Sequence, residues 1–265
     1  MQQITSPNNP RVKEWAGLLE KKNRDKHLKY VIEGIHLVQE ALKARADLEC
    51  VCYEIERGIP AELSEAAAAS LDVEWIGVTA AIIAKCTDAK TPQPVFAIAR
   101  KNRGELEPLL TEERSLVVVL DGVQDPGNVG TIIRSADAVG ASGVIVGLGC
   151  ADIYNPKVIR STMGSLFHLP VIEGDLADIL PQAKARGIRL VGTSLQAAAS
   201  CYAYDFTGPV WLLFGSEARG LSANVRELMD DGLLIPMQGQ AESLNVAMAA
   251  SVLLFEAQRQ RYYRQ

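Results

Sequence analysis

Three polar loops hold the residues of this chain best suited to chemistry. The first, residues 121–130, reads D-G-V-Q-D-P-G-N-V-G, and Arg134 follows shortly after. Asn128 carries an amide that can donate and accept together, and it is expected to cap a helix. Arg134 would then fall in the second helical turn, where a cation opposes the macrodipole. An arginine there either pairs with a neighbouring surface acid or meets a phosphate or substrate oxygen. The second loop, residues 215–220, reads G-S-E-A-R-G. Its glycines let backbone approach a ligand closely around Glu217, though an ordinary turn would look the same. The third, residues 236–245, reads P-M-Q-G-Q-A-E-S-L-N. Ser243 is expected to cap the next helix, with Asn245 in its first turn, where asparagine is a poor helix former unless its amide is bonded.

The elements around these loops alternate between strand and helix. Strands are predicted over 116–120, 143–146, 189–193, 210–214 and 233–235. Helices are predicted over 129–139, 156–167, 176–186, 223–229 and 244–261. The run L-V-V-V-L at 116–120 is apolar throughout, as a doubly covered parallel strand must be. A parallel sheet with helices on both faces places ligands at the carboxyl ends of its strands, and all three loops follow such strands. Three polar loops at one sheet edge make a stronger case for a binding site than any one of them.

A smaller α/β unit precedes this. It has strands at 30–32, 48–55, 72–78 and 95–99, and helices at 35–44, 60–70 and 80–85. Residues 101–115 are charged, contain Gly104 and Pro108 and lack an apolar period, so they are expected as a boundary. The expected division is 1–104, a linker at 105–115, and 116–265. Residues 10–30 carry Arg11, Lys13, Lys21, Lys22, Arg24, Lys26 and Lys29, with Trp15, Leu18 and Leu19 on one helical face. Such a run is usually a solvated face; a phosphate-contacting arm is the other possibility.

The chain has 265 residues, 48% of them hydrophobic, with a formal net charge of −5. That is enough chain to bury a core without metals or disulfides. A basic balance is absent, so any nucleic-acid contact must rest on local patches. The five cysteines are expected as reduced, buried thiols. Cys50 and Cys52 would share one strand face, and without nearby histidines a metal is not expected. No apolar run reaches membrane-spanning length and no leader-type apolar segment opens the chain, so no membrane partner is expected and the protein is expected in the cytoplasm.

Three segments then resemble the three motifs of SpoU-TrmH RNA 2′-O-ribose methyltransferases, of the SPOUT superfamily, in order and spacing. They are N-V-G-T-I-I-R-S-A-D-A-V-G at 128–140, F-G-S-E-A-R-G-L at 214–221, and I-P-M-Q-G-Q-A-E-S-L-N-V-A-M-A at 235–249. Tyr154-Asn155-Pro156-Lys157 with Arg160 and Gly164 resembles a further family segment. Glu33-Gly34, Val38 and Glu40-Ala41-Leu42 resemble the ribosomal-protein-like RNA-binding domain that precedes many such enzymes. The resemblance covers about 116–261 for the catalytic part. It implies a C-terminal SPOUT domain with a deep trefoil knot, a smaller N-terminal α/β RNA-binding domain, and a homodimer through the C-terminal domain whose active site draws on both subunits.

The implied reaction is methyl transfer from S-adenosylmethionine to a ribose 2′-hydroxyl of structured RNA, with large-subunit 23S rRNA favoured over tRNA. Cofactor contacts are implied for Thr193, Gly215, Ile235, Ser243 and Leu244. Asn128, Arg134, Glu217 and Asn245 are implied at the reaction centre, and RNA contacts for Arg11, Lys13, Lys21, Lys22, Glu33 and Arg160. A guanidinium is a poor base at neutral pH. Arg134 is therefore expected to clamp an RNA phosphate and stabilise the developing alkoxide, with Glu217 orienting it. A nucleotide-linked α/β enzyme would need a glycine fingerprint after the first strand of the sheet, which 121–130 lacks. A non-catalytic RNA-binding or ribosome-assembly protein would have no need of the four polar residues together.

Overall fold

The computed structural model describes residues 2–69, 73–102, 104–194 and 197–263. Ser70 and Asp72, expected at a helix end and a strand start, lie outside the described residues. The chain divides into two compact units. One comprises Met1–Asn102 with Asp152–Phe167, the other Arg103–Ala151 with His168–Gln265.

In the first unit the strands are β1 (Gln2–Ile4), β2 (Lys29–Glu33), β3 (Leu48–Glu54), β4 (Glu74–Val78) and β5 (Val95–Arg100). They form one sheet in the order β1-β4-β3-β5-β2. The β1–β4 and β4–β3 pairs are parallel, and the β3–β5 and β5–β2 pairs antiparallel. On one face Val12, Trp15 and Leu18 pack over Cys50, Cys52, Ile76, Phe96 and Ile98. The C-x-C pair therefore points into the core, as strand alternation requires. Burial raises the Cys52 thiol pKa well above its ordinary value and pushes Cys86 up to about 12.

In the second unit the strands are β6 (Leu116–Asp121), β7 (Gly143–Gly147), β8 (Val171–Gly174), β9 (Arg189–Thr193), β10 (Ala199–Ser200), β11 (Val210–Gly215) and β12 (Asp231–Leu234). Their order is β10-β12-β9-β11-β6-β7-β8, and every pair is parallel. The chain lays β6, β7 and β8 toward one edge and returns to β9. β11 then fills the place between β9 and β6, so it is held on both sides; its residues 210–214 are fully buried. Val117, Val119, Leu190, Trp211 and Leu213 pack on Leu176, Ile179, Leu180 and Ala183 of the helix Leu176–Ala185. The helices Pro126–Ala138 and Val246–Tyr262 pack against each other, joined by Ser135 and Ser251 hydroxyls 2.8 Å apart.

Two segments pack in a way that their composition does not show. The stretch 105–115 is not a bare linker: Glu107–Thr111 is helical, and Leu109 and Leu110 are buried in the second unit's core. Two adjacent leucines among charges show no period, but they suffice to pin one short helical turn. Residues 152–167, expected inside the C-terminal domain, belong to the first unit. There Asp152 accepts from Arg24 at 2.6 Å, and both side chains are more than nine-tenths buried. Tyr154 stacks on Tyr30 with ring centres 4.6 Å apart and donates to the Asn102 carbonyl at 2.6 Å. Among the described residues no helix is long and apolar enough to cross a membrane.

Candidate active site

The carboxyl ends of β6, β9, β11 and β12 lie on one edge because all these strands run parallel. A cavity of about 450 Å³ opens there. Thr193, Gly215, Ile235, Ser243 and Leu244 line it, together with Glu217 and Asn245. The polar loops converge because each leaves a neighbouring strand in the same direction.

Gly215 closes β11 under severe crowding. A Cβ at that position would meet the Gly220 carbonyl carbon at 2.0 Å and the Leu221 nitrogen at 2.1 Å. The following loop is a tight turn: Ser216 N–H donates to Gly220 O at 3.0 Å, and Gly220 N–H to Ser216 O at 2.8 Å. Gly220 sits at φ +67°, a left-handed conformation that glycine adopts without strain. This turn carries Glu217.

Helix caps fall elsewhere than expected, and the difference builds the site. Asp125 caps the helix Pro126–Ala138, its carboxylate accepting from Asn128 N–H. Pro126 is preset for a first helical position, so the helix begins there. The Asn128 side chain is thereby released from capping. Its Nδ2 donates to Glu217 Oε1 at 2.7 Å, and its Oδ1 accepts from Asn245 Nδ2 at 3.1 Å. Asn245, rather than Ser243, caps the closing helix Val246–Tyr262: Oδ1 accepts from Ala247 N–H at 2.9 Å and Met248 N–H at 3.4 Å. Ser243 is left facing the cavity. Each amide thus uses both ends, and a chain of bonds runs from a helix N-terminus through two asparagines to one carboxylate.

Partial burial pushes the Glu217 carboxyl up. The Asn128 amide and the backbone N–H groups of Glu217, Gln124 and Asp125 outweigh it and hold the group below the usual carboxylate range. Glu217 is therefore an ionised, weakly basic anchor. Asp121, not among the residues expected at the site, sits at the end of β6 and accepts from Ser222 N–H at 2.6 Å, fastening the second loop's exit. Its signal was its place as the last residue of an apolar strand.

Arg134 is not brought into this group. With the helix starting at Pro126, it is the ninth helical residue, so the macrodipole argument no longer applies. Six residues turn it about 120° from Asn128 and carry it about 9 Å along the axis. It is exposed and bonds no described residue, so Glu217 orients Asn128 and not Arg134 in this chain.

The six residues implied as RNA contacts divide sharply. Arg11 is bidentate to Glu74 at 2.7 and 3.2 Å and lies over the Trp15 ring. Lys21 pairs with Asp25 at 3.1 Å. Glu33 is 8% exposed, accepts from Asp88 N–H at 2.7 Å and pairs with Arg160. Arg160 also reaches Asp88 at 2.9 Å. Among the described residues only Lys13 and Lys22 of the six are exposed without a partner. Lys26, in the same basic run, is too.

Known proteins resemble this chain over nearly its whole length. Residues 115–255 match the SpoU rRNA Methylase family, and residues 9–97 match an MRM3-like substrate binding domain. The chain belongs to the SpoU rRNA methylase family. It is 38% identical to the 23S rRNA (guanosine(2553)-2′-O)-methyltransferase RlmP of Bacillus subtilis, over 96% of this chain and 98% of that one. It is 36% identical to a 23S rRNA (uridine(2479)-2′-O)-methyltransferase of Streptomyces viridochromogenes, over 97% and 92%. The crystal structure of the SpoU methyltransferase AviRb from Streptomyces viridochromogenes, in complex with AdoMet, superposes with a TM-score of 0.90 at 33% identity, over 97% of this chain and all of that one. An AdoMet-bound rRNA methyltransferase from Sinorhizobium meliloti gives 0.88 at 33% identity, over 97% of each chain.

Proposed function

We propose that this protein transfers a methyl group from S-adenosylmethionine to a ribose 2′-hydroxyl of large-subunit 23S rRNA. The observation that carries the reading is the bonded group Glu217–Asn128–Asn245, whose Glu217 and Asn245 line the cavity of about 450 Å³, in a chain of the SpoU family. Relatives acting on 23S rRNA over nearly the full length of both chains support the RNA class.

The cavity suits the cofactor. Among the described residues, no backbone N–H from Met237 to Leu244 donates to protein, so these groups are open to a ligand. Gly215 lets the chain close around a ligand without a side chain in the way. Thr193, Gly215, Ile235, Ser243 and Leu244 would hold the cofactor, which supplies a methyl carbon already activated on a sulfonium. The remaining tasks fall to the protein: to align the hydroxyl and handle its proton. Asn128 and Asn245 are fixed in rotamer by their mutual bond, so they orient rather than search. Glu217, held ionised, keeps the Asn128 amide in one orientation. Arg134, exposed and unpaired, clamps the RNA phosphate next to the reacting ribose.

The protein works as a homodimer through its second unit. Met248, Phe255 and Tyr262 recur every seven residues on the closing helix and are 49%, 51% and 66% exposed, an apolar stripe of the kind that marks an interface. Arg134 then serves a site completed by the partner. Insertion of β11 between β6 and β9 supports a knotted path through the cofactor loops. The first unit, including residues 152–167, binds substrate RNA, and the protein acts in the cytoplasm. Mixing an active-site variant, Asn128→Ala, with Arg134→Ala tests the shared site. Recovery of about a quarter to a half of wild-type activity in the mixture supports it, and activity no higher than the sum of the two variants contradicts it.

A further inference from the structure

The first unit has a second cavity, of about 270 Å³, lined by Glu33, Gly34, His36, Leu37, Thr87, Ala89, Thr91, Pro92, Gln93, Arg160 and Met163. We propose that this pocket seats a single unstacked nucleobase of the substrate RNA. The proposal rests on the RNA methyltransferase reading and adds a site to it.

The lining surface is mostly apolar. Leu37, Ala89 and Pro92 offer surface for the face of a ring, and Met163 stands over the rim at 47% exposure. Met163 is also in left-handed backbone at φ +52°, a conformation a methionine keeps only where its surroundings impose it. Those surroundings are visible. The Met163 carbonyl accepts from His36 Nε2 at 3.1 Å, and the next residue, Gly164, lies so near Glu40 that a Cβ would meet it at 2.8 Å. A soft, polarizable side chain is thus held out in solvent beside an apolar cavity.

The polar groups suit a base edge. Gln93 Oε1 is committed to Ile35 N–H at 2.7 Å, which leaves its Nε2 donors without a described partner. Gly34, at φ +98°, allows this close approach, since a Cβ there would lie 3.0 Å from Gln93 Oε1. The backbone N–H groups of Ala89, Lys90, Thr91 and Gln93 donate to no described residue. Arg160 spans Glu33 and Asp88, so its guanidinium is pinned with a face available for stacking.

Charge decides between base and phosphate. Arg160, the one lysine or arginine in the lining, is already paired with the lining carboxylate Glu33 and with Asp88, so among the described residues no free cation faces the cavity. A phosphate would be repelled; a neutral heteroaromatic ring would not. Apolar walls with a few polar edge contacts are how extruded bases are held.

Ala89→Trp fills the pocket from an exposed loop. With protein-free 23S rRNA as methyl acceptor, it should raise KM for RNA about tenfold or more. The value of kcat, the affinity for S-adenosylmethionine and the salt dependence of RNA binding should stay near wild type. An unchanged KM in a folded Ala89→Trp protein overturns the proposal. So does a KM rise accompanied by a shallower salt slope, which would place a phosphate there. The unmodified protein supplies a second measurement. Ultraviolet crosslinking to 23S rRNA transcribed with 4-thiouridine or with 6-thioguanosine should label residues 87–93 or Met163; labels confined to other peptides overturn the proposal. If the unmodified protein transfers no methyl group to rRNA, the underlying reading fails instead.

Discussion

The edge of the parallel sheet and the basic helices of the first unit both drew attention by residue type, and they use their polar groups in opposite ways. At the sheet edge, Asn128 bonds both Glu217 and Asn245, while among the described residues the backbone from Met237 to Leu244 donates to no protein group. In the basic run of residues 10–30, four of the seven lysines and arginines are spent on the fold. Arg24 bonds Asp152 and the carbonyls of Leu18 and Leu19, Lys29 bonds Glu14 and Glu49, and Arg11 holds Glu74. Polar residues spaced along loops at strand ends mark a site, because the sheet brings them together. A run of cations marks only charge, and its partners decide how much of that charge faces outward.

The sharpest test of the sheet-edge half is Gly215→Ala. A Cβ at 2.0 Å from the Gly220 carbonyl carbon has no room, and the loop must move. We expect destabilisation by about 3 kcal/mol or more and loss of cofactor binding, read by thermal melts and calorimetry. Next is Asn128→Ala, which should lower kcat about 100-fold while S-adenosylmethionine affinity stays within a few-fold. Equal loss in both would make Asn128 a structural residue only.

Asn245 separates cap from network. Asn245→Ala should cost about 1 kcal/mol as a lost cap and slow turnover. Asn245→Asp keeps the capping oxygen but loses the donor to Asn128, so stability should recover while turnover stays low. A pH profile bears on Glu217. Because its folded carboxyl titrates below the ordinary value of about 4.3, the ordering it provides is present above that value and is lost only as pH falls through the depressed one. Single-turnover rates should show no carboxylate step near pH 5; a step there would mean that Glu217 is not held as described. The smallest effects belong to the basic helices. Lys13→Ala and Lys22→Ala should each flatten the salt dependence of RNA binding by about one unit. Arg11→Ala should instead cost stability, about 0.2–1 kcal/mol for a partly exposed pair.

Much of the second unit was legible from its residues. Runs such as 116–120 and 210–214 read as buried parallel strands because nothing polar interrupts them, and the loop after 210–214 lines the cavity. The short strands β8 and β10 and the antiparallel pairs of the first unit were not read, since their partners are set by tertiary pairing. The caps were misplaced by three residues at one helix and two at the other. Pro126 and the double use of the Asn245 amide decide those ends, and neither shows as apolar period. The Arg24–Asp152 pair joins residues 128 positions apart, and no local pattern predicts it. That same pair packs residues 152–167 with the first unit, although the family match at 115–255 includes them.

The central claim is chemical, and one measurement addresses it directly. Purified protein is incubated with S-adenosylmethionine labelled in the methyl group and with protein-free 23S rRNA, and the RNA is digested to nucleosides. Label is expected in a 2′-O-methyl nucleoside at a single alkali-resistant position. Label on a base, or no transfer to rRNA by protein that binds the cofactor, would contradict it.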